Sequence, residues 1–438
     1  MGADRVKLKI KIILLSALII FFAVATTQYL SANNVSEITQ TEPTIYEEWN
    51  KTFGGPDYDT GYMVRQTNDG GYIIVGWTYS YVGNSNLYII KTDGNGNPQW
   101  MKSLGGDGYE RGYCVQQTSD GGYIVVGYTT SYGAGGSDAW LIKLDANGTV
   151  LWDRTFGGAS SDNGYYVQQS DDGGYIIVGA TVSYGAGGAD VWLIKTDSNG
   201  TEMWNKTFGT SIYYEQGYVV YPSNDGGYMV FGRQQADNDE ILVIKTDAQG
   251  NELWNKTFGG NDGEWLRTAY KTSDGGFILV GRTYSYGVNG DAYVIKLDAQ
   301  GNMEWGKNYG GLDYDCGNGI TETSDGGYII AGATKSYGAG YYDSWLIKID
   351  TWGNMEWNLT FGGVENDTFA FIQQTSDGGY ICVGSTQSYG AGNYDVWLVK
   401  FGSNEVVELP PISIIIALGC TLTSVLMSTK PRNPITER

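Results

Sequence analysis

The stretch Asp120–Trp152, DGGYIVVGYTTSYGAGGSDAWLIKLDANGTVLW, is the unit from which most of this chain is built. Its Asp-Gly-Gly sequence, always followed by Tyr or Phe, recurs at Asp69, Asp120, Asp172, Asp225, Asp274, Asp325 and Asp377. The copies lie about fifty residues apart, and a fixed period of this length indicates a repeat architecture and not a set of independent domains.

One unit contains four candidate strands. YIVVG and AWLIK are short apolar runs rich in β-branched and aromatic residues, and Gly, Asp and Asn bound them. GYCVQQT (112–118) precedes these runs and VLWDRTF (150–156) follows them. Asp-Gly-Gly and Asp-Ala-Asn-Gly supply the tight turns, because glycine adopts positive φ without steric cost. Four antiparallel strands that repeat around a centre are typical of a β-propeller blade.

The strand signatures occur seven times each. The third strands end in Lys91, Lys143, Lys195, Lys245, Lys296, Lys348 and Lys400, and the fourth strands carry Trp49, Trp100, Trp152, Trp204, Trp254, Trp305 and Trp357. Because Trp49 precedes the first inner strand, we expect the N-terminal strand to complete the last blade. The sequence therefore predicts an all-β, seven-bladed β-propeller of four-stranded antiparallel blades, whose closure removes open sheet edges.

Composition excludes several kinds of partner and chemistry. The chain has 438 residues, a formal net charge of −21 and no histidine. An acidic chain does not suit nucleic acid or anionic lipid, since phosphate binding needs clustered Lys and Arg. Catalytic triads that use histidine are excluded as well.

The sequences outside the repeats predict targeting and anchoring segments. Residues 1–32 place basic side chains before an apolar run and predict either a signal peptide or an N-terminal anchor, followed by a linker at 33–44 and the propeller at 45–402. Residues 403–411 are a second linker, 412–428 a charge-free run that predicts a transmembrane helix, and 429–438 a cytoplasmic tail. The alternative for 412–428 is a buried strand or a processed tail. The anchored interpretation places the propeller outside, at the cell surface.

The long connections fall on one face of the predicted ring, opposite the tight turns, and loops on a rigid scaffold are where binding residues concentrate. A Ser-Tyr pair recurs in these connections and predicts a ligand face of six tyrosines: Tyr81, Tyr132, Tyr184, Tyr286, Tyr337 and Tyr389.

A carboxylate also recurs on this face, ten residues before each Asp-Gly-Gly aspartate. The set is Asp59, Glu110, Asp162, Glu215, Glu264, Asp315 and Asp367. Two interpretations remain open. Each carboxylate accepts backbone N–H groups in its own loop, as Asp does in turns. Alternatively, the set forms a calcium-binding rim, because oxygen ligands without histidine or thiolate suit Ca²⁺.

The first strand of each blade lines the central channel, and there the units differ. One register holds Arg65, Gln116, Gln168, Tyr221, Tyr270, Thr321 and Gln373, and a second holds Met63, Cys114, Tyr166, Val219, Thr268, Gly319 and Phe371. Polar and aromatic side chains at a channel mouth suit a small ligand, although drift between repeats would leave the same variation.

Asp93-x-x-Gly96-x-x-x-Trp100 and its copies resemble the tryptophan-docking motif of quinoprotein-type (PQQ-type) propellers, in which the Trp wedges between neighbouring blades. The body from Trp49 to Lys400 is similar to the DGGY, SYGAG and WLIK repeat propellers of prokaryotic exported proteins. The chain has seven units where quinoprotein dehydrogenases usually have eight. The resemblance implies a propeller fold and export, and it names no cofactor.

These observations predict a cell-surface-anchored propeller that acts as a binding or scaffolding module without catalysis, held to the membrane by its C-terminal helix. Its partner would be a protein or a glycan, and calcium is the one cofactor that the residues suggest. The alternative is an extracellular propeller enzyme, either a quinone-dependent dehydrogenase or a glycan-cleaving enzyme.

Overall fold

The computed structural model describes residues 45–81, 84–223, 225–236 and 238–403. These residues form 28 β-strands and no helix, and so they contain no helical segment that could cross a membrane. The signal or anchor segment 1–32, the linker 33–44, the helix expected at 412–428 and the tail 429–438 lie outside the described residues, as does the linker 403–411 beyond its first residue.

The strands follow the repeat in groups of four. After β1 (Ile45–Phe53) they are β2 (Asp59–Gln66), β3 (Tyr72–Thr78), β4 (Asn86–Thr92), β5 (Pro98–Leu104); β6 (Glu110–Gln117), β7 (Tyr123–Thr129), β8 (Asp138–Leu144), β9 (Val150–Phe156); β10 (Asp162–Gln169), β11 (Tyr175–Thr181), β12 (Asp190–Thr196), β13 (Glu202–Phe208); β14 (Tyr214–Pro222), β15 (Tyr228–Gln235), β16 (Asp239–Thr246), β17 (Glu252–Phe258); β18 (Glu264–Lys271), β19 (Phe277–Thr283), β20 (Asp291–Leu297), β21 (Met303–Tyr309); β22 (Asp315–Glu322), β23 (Tyr328–Thr334), β24 (Asp343–Ile349), β25 (Met355–Phe361); and β26 (Asp367–Gln374), β27 (Tyr380–Thr386), β28 (Asp395–Ser403).

Each group is one four-stranded antiparallel sheet, and the seven sheets form a seven-bladed propeller over Tyr46–Gly402. The last sheet has the order β1-β28-β27-β26, so the N-terminal strand completes the seventh blade. The predicted fold class and ring closure are therefore confirmed for the described residues. The second and third strands are buried almost throughout, because both of their faces pack against neighbouring blades.

The outer-strand tryptophans fasten neighbouring blades to each other. A Cβ on Gly148, in the last turn of the second blade, would lie 2.9 Å from the Trp100 ring of the first blade. Trp100 also packs against Tyr123, with ring centroids 5.9 Å apart. The same contacts join Trp49 on β1 to Gly96 and Tyr72 of the first blade. The wedge expected from the tryptophan motif is thus present, including at the junction that closes the ring.

A buried lysine anchors the first turn of every blade. In the second blade the Lys143 ammonium is buried and lies 2.9 Å from Asp120 of the Asp-Gly-Gly turn. It also donates to the Leu144 carbonyl at 3.1 Å. The corresponding pairs are Lys91–Asp69, Lys195–Asp172, Lys245–Asp225, Lys296–Asp274, Lys348–Asp325 and Lys400–Asp377. The repeated Lys and Asp therefore connect the third strand to the first turn of the same blade.

Candidate functional site

A β-bulge in the first strand of each blade determines which side chains enter the central channel. In the second blade the pairing of β6 with β7 shifts between Gly112 and Cys114, so Tyr113 has no partner on the neighbouring strand. A bulge adds one residue and re-aims the side chains around it. The bulged residues around the ring are Tyr62, Tyr113, Tyr165, Tyr218, Arg267, Asn318 and Ala370.

Four of these residues form an arc of tyrosines across consecutive blades. Tyr62 and Tyr113 meet at a centroid distance of 5.0 Å, Tyr113 and Tyr165 at 5.2 Å, and Tyr165 and Tyr218 at 5.7 Å. The first two contacts are edge to face, the arrangement that aromatic quadrupoles favour. The arc lines a narrow cavity of about 350 Å³, here called the neck.

Arg267 stands in the neck together with this arc. It is exposed to the channel, and it lines the neck and the wider cavity that opens from it. Burial among protein atoms lowers the pKa of Arg267, but the surrounding Tyr62, Tyr314 and Tyr218 and the Cys316 thiol outweigh this and raise it. The guanidinium is therefore charged at neutral pH.

The wider cavity, here called the cup, has a volume of about 720 Å³ and lies on the face that carries the long connections. Aromatic side chains dominate its wall, and hydroxyl and amide groups lie between them. The aromatic residues are Tyr58, Trp77, Tyr79, Tyr314, Tyr342 and Tyr394, and the polar ones include Thr60, Asn318, Asn366, Thr368 and Ser385. A concave site with aromatic walls and a few placed polar groups is the usual form of a small-ligand site.

Two further arginines contact the cup. Arg111 lines it directly and lies over the Trp77 ring, 4.6 Å from the ring centroid. Arg282 lies 4.5 Å from the Trp265 centroid and donates a 2.5 Å hydrogen bond to the hydroxyl of Tyr314. Cation–π contact holds each guanidinium in place without neutralising its charge.

The six tyrosines of the expected ligand face brace the loops of their own blades. Tyr132 donates from its hydroxyl to the Gly105 carbonyl at 2.9 Å and packs on Trp140 at 5.5 Å. The other five make the same two contacts, and the six are 42–49% exposed. The fourth blade has neither this tyrosine nor the aromatic residue on which it packs, and Gln234 and Leu242 lie in the corresponding regions. None of the six lines the cup.

The seven carboxylates are buried, and each is bound within its own loop region. Asp162 accepts hydrogen bonds from Gly158 N at 2.8 Å and from the hydroxyls of Ser183 at 2.6 Å and Thr181. A backbone N–H and a threonine bind four others in the same way. Asp59 accepts from Gly55 N and Ser80 instead, and Glu215 from Thr210 and Gln234. Within the described ranges, no three acidic, cysteine or histidine side chains gather into a group that could hold a metal ion. The calcium rim stays a prediction.

The predicted channel residues lie on the opposite side of the ring from the cup. Arg65, Gln116, Gln168, Tyr221 and Tyr270 line a third cavity of about 500 Å³. Several of them connect neighbouring blades: Gln116 accepts from Gln169 N and Gln373 accepts from Gln66 N, both at 2.8 Å, and Tyr221 donates to the Ala269 carbonyl at 3.1 Å. These side chains therefore join first strands around the ring.

The layer between the two sides is filled. Tyr166 and Phe371, from the second predicted register, are buried there with Met63 and Cys114. Arg65 lies 4.8 Å from the Phe371 ring centroid. The cup is missed from the sequence when inward-facing side chains are assumed to alternate strictly along the first strand. That assumption skips the bulged residue just before each of these buried residues. The repeated Gly-Tyr at 61–62, 112–113, 164–165 and 217–218 was the available signal.

Comparison with known proteins supports the fold and goes no further. No family model matches the sequence. No curated protein matches it either. Among solved structures, the Neurospora crassa Pan2 WD40 domain has a TM-score of 0.51 at 11% identity, over 81% of this chain and 90% of that one. A protein of unknown function from Dyadobacter fermentans DSM 18053 has a TM-score of 0.48 at 12% identity, over 82% and 98% of the two chains. The likeness to the Pan2 WD40 domain, at this level of identity, shows the fold alone.

Proposed function

We propose that this propeller is a binding module that holds a small ligand, or the end of a larger one, in the cup and has no catalysis of its own. The observation that carries the proposal is the lining of the cup, where aromatic faces alternate with hydroxyl, amide and guanidinium groups. Such groups orient a ligand through stacking and hydrogen bonds.

The proposal keeps the propeller at the cell surface, tethered through residues 412–428. The rigid ring supports this role, because a site built from several blades is held by packing and not by a single loop. Calcium at the carboxylate rim remains part of the proposal, with a structural role.

Trp77 is the residue to change, because it lines both the cup and the neck and supports Arg111. We expect Trp77→Ala to abolish retention of any ligand that a glycan or peptide array finds for the full-length chain. The matched control is Trp352→Ala, since Trp352 is 71% exposed in an outer turn. Scoring the array for cleavage products as well as retention separates binding from the enzymatic alternative. Retention that is unchanged in Trp77→Ala would refute the cup as the site.

A further inference from the structure

We infer that the ligand of the cup is an acidic saccharide, a sugar unit that carries an oxyanion such as a carboxylate or sulfate. This inference rests on the proposed binding function and names its substrate class. The argument starts from where the chain places its arginines.

The arginines are concentrated where the overall charge does not lead one to expect them. The chain carries a formal net charge of −21, and its described part contains six arginines. Arg111 and Arg267 line the cup, Arg282 donates to the cup residue Tyr314, and Arg233 lies over the Trp265 ring that Arg282 also contacts. A local positive site in an acidic protein has no role in general solubility, which the net negative charge already provides. It indicates an anion that binds at that point.

Most of these guanidinium groups have no carboxylate partner. Within the described ranges, Arg233 alone of the four lies within ion-pair distance of one, 3.6 Å from Asp239. Arg111 and Arg282 each bury an Nε that has no hydrogen-bond partner in the part of the chain that the structure describes. Three of the four guanidinium charges are therefore left without a counter-ion among the described residues, and an oxyanion bound in the cup would supply one.

Arg267 is best placed to bind the anion itself. It stands where the cup narrows to the neck, among the tyrosine hydroxyls of Tyr62, Tyr218 and Tyr314. A guanidinium presents planar donors that match the two oxygens of a carboxylate or sulfate, and the Tyr62 hydroxyl would donate to the same oxygens, whereas the Tyr218 hydroxyl donates to Gln216 Oε1 at 2.8 Å. The acidic group of a ligand would therefore point into the neck.

The rest of the cup suits a sugar ring. A pyranose presents C–H groups on its faces and hydroxyls around its edge, so it needs aromatic faces and amide or hydroxyl partners together. Trp77, Tyr58 and Tyr394 supply the faces, and the last two stack on each other at 5.5 Å. Asn366, Thr368 and Ser385 supply amide and hydroxyl groups to the wall of the cup, and the two hydroxyls, 3.3 Å apart, retain capacity for further hydrogen bonds. An inorganic anion would leave these faces and acceptors unused.

The test is calorimetric titration of the full-length chain in a detergent that has no sugar headgroup. The probes are trigalacturonate, its methyl ester, neutral trigalactose and a trisaccharide of galactose 6-sulfate. We expect at least tenfold tighter binding of the galacturonate than of its ester or the neutral sugar. Preference for the sulfated probe would support the inference with sulfate as the oxyanion, and equal binding of acid, ester and neutral sugar would overturn it.

Arginine variants assign the anion to its residue. Arg267→Gln should weaken binding of the acidic probe at least tenfold and change binding of the ester less than twofold, and Arg267→Lys should fall between the variant and the wild type. Arg154→Gln is the control, because Arg154 is an exposed arginine on the outer strand β9. An unchanged affinity in Arg267→Gln would overturn the assignment.

The outcomes separate this inference from the proposed function. If no acidic sugar binds while an array ligand is still lost in Trp77→Ala, this inference fails and the proposed function stands. If nothing binds in the cup, both fail.

Discussion

Each blade contains a Lys–Asp ion pair in which the lysine is buried and the aspartate is exposed. The stability that this pair contributes depends on pH. The Lys143 ammonium is buried, whereas Asp120 is 58% exposed on the turn. Partial burial would raise the pKa of Asp120, but hydrogen bonds from Thr118, Lys143 and Gly122 and the lysine charge lower it to about 2. The pKa values of Asp69 and Asp274 are lowered to about 2 as well.

These pKa values predict the direction of acid destabilisation. A carboxyl has a pKa of about 3.9 in the unfolded chain, so the stability that Asp120 contributes is complete above about pH 4 and is lost as the pH falls towards 2. We expect Asp120→Asn to lower the free energy of unfolding by about 1–2 kcal/mol at pH 7, less than for a fully buried pair because water screens Asp120. Denaturant titrations should show this difference disappear near pH 2. Asp145→Asn is the control, since Asp145 caps the other turn of the blade by accepting two backbone N–H groups. A difference that persists at pH 2 would contradict the assignment.

The bulge of the first strand depends on a glycine in the second. Gly127 on β7 pairs with Gly112, and a Cβ on Gly127 would overlap the Arg111 carbonyl oxygen. The same close approach of a carbonyl occurs at Gly76, Gly179, Gly232, Gly281, Gly332 and Gly384. The glycine of the second strand therefore lets the first strand bend and turn its bulged side chain into the channel.

Gly127→Ala should damage both the blade and the cup. The added methyl group has to displace the backbone of β6, and we expect a loss of about 3 kcal/mol in the free energy of unfolding together with loss of ligand binding, because Arg111 and Tyr113 move. Gly121→Ala separates this effect from backbone strain: Gly121 has a φ of 84° and open space around it, so alanine there should cost about 1 kcal/mol and leave binding intact. Equal effects of the two changes, measured by chemical denaturation, would contradict the steric explanation.

The junction that closes the ring is built like the junctions inside it. Gln373 of the seventh blade accepts from Gln66 N at 2.8 Å, and Gln116 accepts from Gln169 N at the same distance within the ring. Trp49 of the closing strand packs on Tyr72 as Trp204 packs on Tyr228, with centroid distances of 5.9 and 6.1 Å. The strand and tryptophan contacts at the closing junction therefore match those inside the ring, and the stack of Tyr58 on Tyr394 adds to them.

Because Trp49 and Trp204 make equal contacts, their removal should destabilise the protein equally. Trp49→Ala and Trp204→Ala should each lower the free energy of unfolding by about 2 kcal/mol, below the usual cost for a core tryptophan because both are half-buried. Thermal unfolding of both variants should remain a single transition, since every blade depends on its two neighbours. A neutral Trp49→Ala beside a costly Trp204→Ala would show that β1 contributes little to closing the ring.

Repetition made the architecture readable from the chain alone. The turn glycines, the lysine of each third strand and the tryptophan of each fourth strand satisfy local requirements that are the same in every blade, so they recur at a fixed spacing. Even the closing strand was predictable, because Trp49 was one fourth-strand signature without a preceding blade.

The cup was not readable in this way. It is formed once, on the axis, by positions that differ from blade to blade, such as Trp77, Arg111, Arg267 and Asn318, and the Gly-Tyr repeat marks only the four tyrosines of the neck. The bulge also resets the alternation of side chains, so that Tyr113 and not Gln116 takes its place in the neck. Turn chemistry and the hydrophobic period depend on a few neighbouring residues, so the sequence alone determines them. A site on the axis exists only after seven sheets have closed around it.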